Sequence, residues 1–195
     1  MSHADTRAAL QKHFYEIMKL LRLDVDNDDS LQDTPMRLAK MYLDELFVGL
    51  QHANYPRMMA VKNTMKYNQI LVERNITVKS VCEHHFQPII GVAHVAYIPK
   101  DKVLGLSKFN RLVEYYSRRP QVQERLTEDI HKALVKELGT EDVAVIVDAK
   151  HYCVIMRGVN DHGSSTVSSK LSGAFKTMET RNELMDLIKL SPSFL

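Results

Sequence analysis

The sequence predicts an α+β domain, an antiparallel sheet with helices layered on one face, preceded by an N-terminal helical arm. Three observations predict it. Apolar residues recur at helical spacing near the start of the chain, at Leu10, Phe14, Ile17, Met18 and Leu21. Two Val- and Ile-rich runs, 67–82 and 85–99, flank one short turn and read as an antiparallel pair. Helices and strands then follow in pairs rather than in strict alternation, which is the pattern of an α+β fold.

The elements follow in order. The first helix is expected over 6–23. An acidic loop follows, in which Asp24, Asp26 and Asp28 alternate as in a calcium loop. Asp29 stands where that loop needs glycine and Pro35 where it needs glutamate, so a solvated loop is expected. Asp33 or Thr34 can cap a second helix with Pro35 in its first turn, running to about residue 48 with Gly49 as the stop. Residues 50–66 read as irregular. After the strand pair, Ser107 is a plausible N-cap for a helix over 108–117. Pro120 opens the next helix, which ends at Gly139. A third strand covers 143–149 and continues towards His151 and Cys153. A fourth covers 165–175, and a last helix covers about 180–190. The arm is 1–66 and the main domain 67–195. Four strands leave two open sheet edges, which association of identical subunits would cover.

Bulk properties exclude several classes. The chain has 195 residues and a net charge of +2, from 26 basic and 24 acidic residues, so it carries no nucleic-acid footprint. No apolar run reaches the roughly 20 residues of a membrane span, and no signal peptide is expected. Two cysteines do not make a disulfide scaffold; they point to a reducing, cytoplasmic setting in which thiols are free to bind metal.

Those two cysteines define the chemistry. Cys82-Glu83-His84-His85 places a thiol and an imidazole at C-x-x-H spacing, and His151-Tyr152-Cys153 supplies a second thiol. Cys82, His85 and Cys153 make a sulfur and nitrogen donor set that suits zinc. Three protein ligands leave a position for water, as in catalytic sites. A fourth ligand among the nine histidines would turn the site structural. His151 and Cys153 are two apart on an expected strand and so face one side. His84 and His151 remain beside the metal as candidate general acids or bases. Read as residues alone, Arg37 and Lys40 share a solvated helix face, and Glu124 near a helix start answers the helix dipole.

Several motifs, taken together, resemble GTP cyclohydrolase I. They are Ser80-Val81-Cys82-Glu83-His84-His85, Gly105-Leu106-Ser107-Lys108, Ser117-Arg118-Arg119-Pro120-Gln121-Val122-Gln123-Glu124-Arg125-Leu126 and His151-Tyr152-Cys153 with Arg157-Gly158. Asp33-Thr34-Pro35 with Arg37 and Lys40-Met41-Tyr42 is similar to the family's N-terminal signature. The likeness covers roughly 6–190, with the motifs in order, and the long N-terminal extensions of some relatives are missing.

The resemblance implies a tunnelling fold and a toroidal homodecamer of two pentamers with active sites at subunit interfaces. It implies conversion of GTP and water to 7,8-dihydroneopterin triphosphate and formate, the entry step to folate or related pterins. It supports Zn2+ on Cys82, His85 and Cys153 and catalytic roles for His84 and His151. It places Glu124 on the guanine edge with Gln123 assisting. It places Ser107, Lys108, Arg111 and Arg157 on the triphosphate, with Arg37 and Lys40 contributed by a neighbouring subunit. Glu83 is left without a role. Two other readings compete: a nitrile reductase of the same fold, whose cysteine is a nucleophile, and a non-enzymatic zinc module. A zinc nucleobase deaminase is set aside because its His-x-Glu…Pro-Cys-x-x-Cys signature is absent.

Overall fold

The computed structural model describes residues 2–190; Met1 and residues 191–195, which close the expected main domain, lie outside the described residues. The first helix, α1 (His3–Leu20), starts earlier than expected because Ser2 and Asp5 form a capping box. The Asp5 N–H donates to Ser2 Oγ at 3.1 Å and the Ser2 N–H donates to Asp5 Oδ2 at 3.1 Å. The following acids are each occupied by a neighbour: Asp26 by Tyr15 and Lys19, Asp24 by Asn27, Asp28 by Ser30.

The second helix, α2 (Thr34–Lys40), has Pro35 in its first turn, but neither Asp33 nor Thr34 caps it through a side chain. The helix widens into one π turn over Met41–Leu46 and breaks into two short 3-10 turns, Val48–Leu50 and His52–Asn54. Gly49 is a docking point rather than a stop. A Cβ there would lie 2.1 Å from Tyr115 O, its N–H donates to Arg118 O at 3.0 Å, and its carbonyl accepts from Arg119 Nε at 2.9 Å. Only glycine allows the arm this approach.

Two short strands, β1 (Ala60–Lys62) and β4 (Lys102–Leu104), pair antiparallel. At three residues each they are too short to show a period in the sequence. They tie the end of the expected arm to the main body. The main sheet contains β2 (Leu71–Cys82), β3 (Pro88–Tyr97), β5 (Pro120–Gln121), β6 (Val143–His151) and β7 (Thr166–Leu171), in the order β5-β2-β3-β6-β7. The four longer strands are antiparallel neighbours, as expected. β5 is an addition: Pro120 pairs with Val81 and Gln121 with Cys82 in parallel register. Pro120 therefore does not open a helix. It occupies a sheet edge, where its missing N–H costs no ladder bond.

Helices α3 (Leu106–Ser117) and α4 (Gln123–Leu138) cover one face of this sheet. Ser107 is not the N-cap of α3. The chain is helical from Leu106, and Gly105 takes the cap position with no side-chain bond. α4 ends as expected at Gly139, at φ 68°. A single turn, α5 (Tyr152–Ile155), follows β6, and α6 (Met178–Lys189) closes the described chain.

The core explains the layering. Val143, Val145, Val147 and Ala149 of β6 point at α3 and α4, where Phe109, Leu112, Leu126, Ile130 and Leu134 are fully buried. Each such side chain contributes roughly 1.5–3 kcal/mol by leaving water. The alternate residues Ala144 and Ile146 point the other way, into a smaller cluster with Ile70, Ala96, Phe175 and Leu184. Helices are thus not confined to one face: α6 covers one end of the second. The unbroken apolar run of β6 reflects burial on both sides. A further edge is left open, because β5 pairs with β2 only at Val81 and Cys82.

Candidate active site

The turn between β2 and β3 is tight. The Cys82 N–H donates to Gln87 O at 2.8 Å, the Phe86 N–H donates to Cys82 O at 2.9 Å, and Phe86 takes a left-handed φ of 52°. Phe86 packs against the arm, 5.4 Å from the Phe47 ring and 6.0 Å from the Tyr42 ring. With Leu10, Phe14 and Ile17 it also lines an apolar groove of about 390 Å³. The stripe of α1 is therefore used beside the metal turn.

Cys82, His85 and Cys153 come together: their ligand atoms lie within 4.8 Å of one another. Cys82 is buried, Cys153 partly buried and His85 exposed, and both thiols are free. Zinc bonds of about 2.3 Å to sulfur and 2.0–2.1 Å to nitrogen require donors closer than this by only a small closure, so the residues fit a tetrahedral cation. Burial, with Cys82 alongside, raises the Cys153 thiol above its ordinary range. A bound cation would reverse that by favouring the thiolate. Cys153 does not sit on a strand with His151. β6 ends at His151 and the chain coils into α5, which turns Cys153 towards Cys82.

His151 ends β6, opposite Ile89 of β3. Burial pushes its imidazole below the ordinary value, and the Glu124 carboxylate opposes that shift. His151 Nε2 lies 2.7 Å from Gln123 Oε1. Gln123, expected to assist at the guanine, turns its side chain inward: it is 1% exposed, and its amide nitrogen shares its two protons among Val147 O, Thr166 O and Ser168 Oγ. Glu124, next to it in the first turn of α4, is exposed and has no hydrogen-bond or ion-pair partner among the described residues. His84 is exposed, with Nδ1 4.0 Å from Cys82 Sγ, and lies outside the three-donor cluster.

Glu83 gains a partner that the sequence does not reveal. Arg125 takes both its oxygens, at 2.6 and 3.3 Å, and this pairing holds the carboxyl below its ordinary range. The two residues meet only because α4 returns to the turn, so no local spacing signals the pair.

The expected phosphate ligands divide into groups. Arg157 joins the cluster, donating from Nη1 to His85 Nε2 at 3.0 Å. Ser107, Lys108 and Arg111 lie on α3, whose far end meets Ser80 through Arg119 O and Gln121. At about 1.5 Å per helical residue and 3.3 Å per strand residue, Lys108 lies on the order of 20 Å from Cys82 along the sheet. Arg37 and Lys40 are exposed on the arm, and Arg37 Nη2 lies 3.4 Å from Asp33. One chain thus gathers the metal donors, both candidate histidines, Glu124 and Arg157, but not the cations of α3.

An antiparallel α+β sheet that carries two free thiols and an imidazole in one cluster, with further imidazoles beside it, has the donor set of a metal-assisted enzyme. The family model described as GTP cyclohydrolase I matches residues 10–189. A GTP cyclohydrolase 1 of Flavobacterium johnsoniae is 53% identical over 185 residues, covering 95% of this chain and 82% of the relative. One of Salmonella arizonae is 51% identical over 190 residues, covering 96% and 85%. Among solved structures, the archaeosine synthase QueF-Like in its apo form aligns with a TM-score of 0.43 at 21% identity, over 54% of this chain and 95% of its own. The chain belongs to the GTP cyclohydrolase I family of enzymes.

Proposed function

We propose that this enzyme converts GTP and water to 7,8-dihydroneopterin triphosphate and formate, with zinc as its metal, as the first step of a folate or pterin pathway. The observation that carries the reading is the mutual approach of Cys82, His85 and Cys153 beside His151 in a chain of this family. A divalent cation held by these three residues would supply Lewis-acid activation of water. The chain's own groups do the rest. Opening the guanine imidazole at C8 requires protons delivered to its ring nitrogens, and His151 and His84 are the imidazoles placed to move them. Glu124, unpaired at the start of α4, accepts the guanine N1–H and 2-amino hydrogens and so disfavours adenine, which would leave it unpaired. Ser107, Lys108, Arg111, Arg157, Arg37 and Lys40 hold the triphosphate.

The assembly follows from the same residues. The distance of Lys108 from Cys82, the open edges of β2 and β7, and apolar arm residues as exposed as Leu20 (83%) support a homo-oligomer in which neighbours complete each site. We take it to be a decamer of two pentamers with a tunnelling fold, an arm over 1–66 and a catalytic domain over 67–195. No helix of the described residues is long and apolar enough to cross a membrane; the proposed setting is the cytoplasm.

The test is incubation of zinc-loaded protein with GTP, following formate and, after oxidation and phosphatase treatment, pterin fluorescence. Absence of both products would overturn the reading.

A further inference from the structure

We propose that Gln123 is a positioning residue: its Oε1 fixes the orientation of the His151 imidazole through Nε2, so that the ring presents Nδ1 to substrate. The proposal rests on the proton-transfer role given to His151.

The geometry leaves the Gln123 amide one orientation. Its nitrogen faces three acceptors, Val147 O at 3.0 Å, Thr166 O at 2.8 Å and Ser168 Oγ at 3.0 Å. Exchanging the amide nitrogen and oxygen would set Oε1 against two backbone carbonyls in a position 1% exposed. The hydroxyls agree. Thr127 Oγ1 donates to Gln123 O at 2.9 Å, so across the 2.7 Å contact with Ser168 it accepts and Ser168 donates. Ser168 Oγ is thereby left to accept from the Gln123 amide. The two amide protons are shared among these three acceptors, and Oε1 points at His151 Nε2 at 2.7 Å.

A neutral imidazole has one N–H, so facing Oε1 it must carry that proton on Nε2; the other tautomer would oppose two lone pairs. Gln123 is held by β6, β7 and α4 together, so the ring's reference point is the sheet itself. This differs from a guanine contact, because the amide has no donor left for substrate.

The experiment is NMR of metal-loaded holoenzyme with 15N-labelled histidine, the His151 signals being assigned by their loss in His151→Asn. The expected result is a protonated Nε2 and a bare Nδ1 on the neutral ring; a protonated Nδ1 would overturn the proposal in the unmutated protein. A second arm uses Gln123→Leu, of similar length but with no acceptor. Its kcat should fall about a hundredfold, with KM for GTP within about twofold and metal content unchanged. A raised KM with kcat kept would make Gln123 a guanine ligand instead, and unchanged kinetics would also overturn the proposal. His151→Asn separates the two claims. Full activity in that variant would end the proton-transfer role, whereas an inactive variant with a protonated Nδ1 in the parent would end the Gln123 assignment alone.

Discussion

Arg125 grips Glu83 through both carboxylate oxygens, Nη1 to Oε2 at 2.6 Å and Nη2 to Oε1 at 3.3 Å. Glu83 lies inside the metal turn, and Arg125 lies in the first turn of α4 beside Gln123 and Glu124. One helical turn therefore addresses both halves of the site. Gln123 orients His151, Glu124 stands free near the same ring, and Arg125 holds the turn that carries Cys82 and His85. Neither Glu83 nor Arg125 is deeply buried, so the bridge matters for position more than for global stability. Glu83→Gln or Arg125→Met should leave the fold intact and weaken metal affinity by less than the roughly tenfold that a direct partner of a ligand supplies. Competition with a chromophoric chelator measures this, and an unchanged affinity would reduce the bridge to a surface contact.

The separation of Lys108 from Cys82 gives a second prediction. If neighbours complete each site, Lys108→Ala and Cys153→Ser each damage a different half of it. Each variant alone should be nearly inactive. Oligomers reassembled from a mixture of the two should regain part of the parent activity, because some interfaces then pair an intact metal cluster with an intact α3. A mixture no more active than its components would show that Lys108 serves the cluster of its own chain, or none.

The sequence carried the four long strands, the grouping of Cys82, His85 and Cys153 and the helix stop at Gly139, because each rests on pattern: alternation, ligand spacing, or a left-handed cap. It did not carry β5. A proline after two arginines reads as a helix opening until the edge of β2 is there to receive it. It misplaced Cys153, since a strand that ends at His151 and coils looks the same as one that continues. The capping box of Ser2 and Asp5 was present in the residues and would have set the start of α1. The partners of Glu83 and Gln123 were out of reach, being 42 and 28 residues away along the chain. Such pairs become legible only once the sheet has set the register.

Gly91 lies at the centre of that register, opposite Ala149 in the β3–β6 ladder. A Cβ at this position would lie 2.1 Å from Asp148 O and 2.6 Å from Ala149 Cβ. Neither neighbour is the free end of a flexible side chain, so the strands must separate. Overpacking of this kind costs about 1–3 kcal/mol, and more where backbone has to move. Gly91→Ala should therefore lower the urea midpoint, and it should weaken metal binding as well, because Cys82 and His151 are held by the strands on either side. A variant with the parent's midpoint would mean that β3 and β6 can shift at no cost.

His131 makes the stability of the fold depend on pH. It is 4% exposed on α4, with Nε2 2.7 Å from Ser172 Oγ. Burial holds its pKa below the ordinary 6.5; the Lys170 charge pushes the same way, and Glu128 opposes. The sign follows by linkage. As pH falls through 6.5, the unfolded chain takes up a proton at this residue and the folded chain does not, so protons favour unfolding. The contribution of His131 is complete above that value and is lost progressively as pH drops towards the lowered pKa of the folded state. Half-buried His94 and His151 are shifted in the same direction and add to the slope. His131→Gln keeps a partner for Ser172 but does not titrate. Between about pH 7.5 and pH 5.5 its urea midpoint should fall by less than that of the parent, with the remainder left to the other two histidines. Equal falls in the two proteins would show that the burial of His131 places no penalty on its protonation.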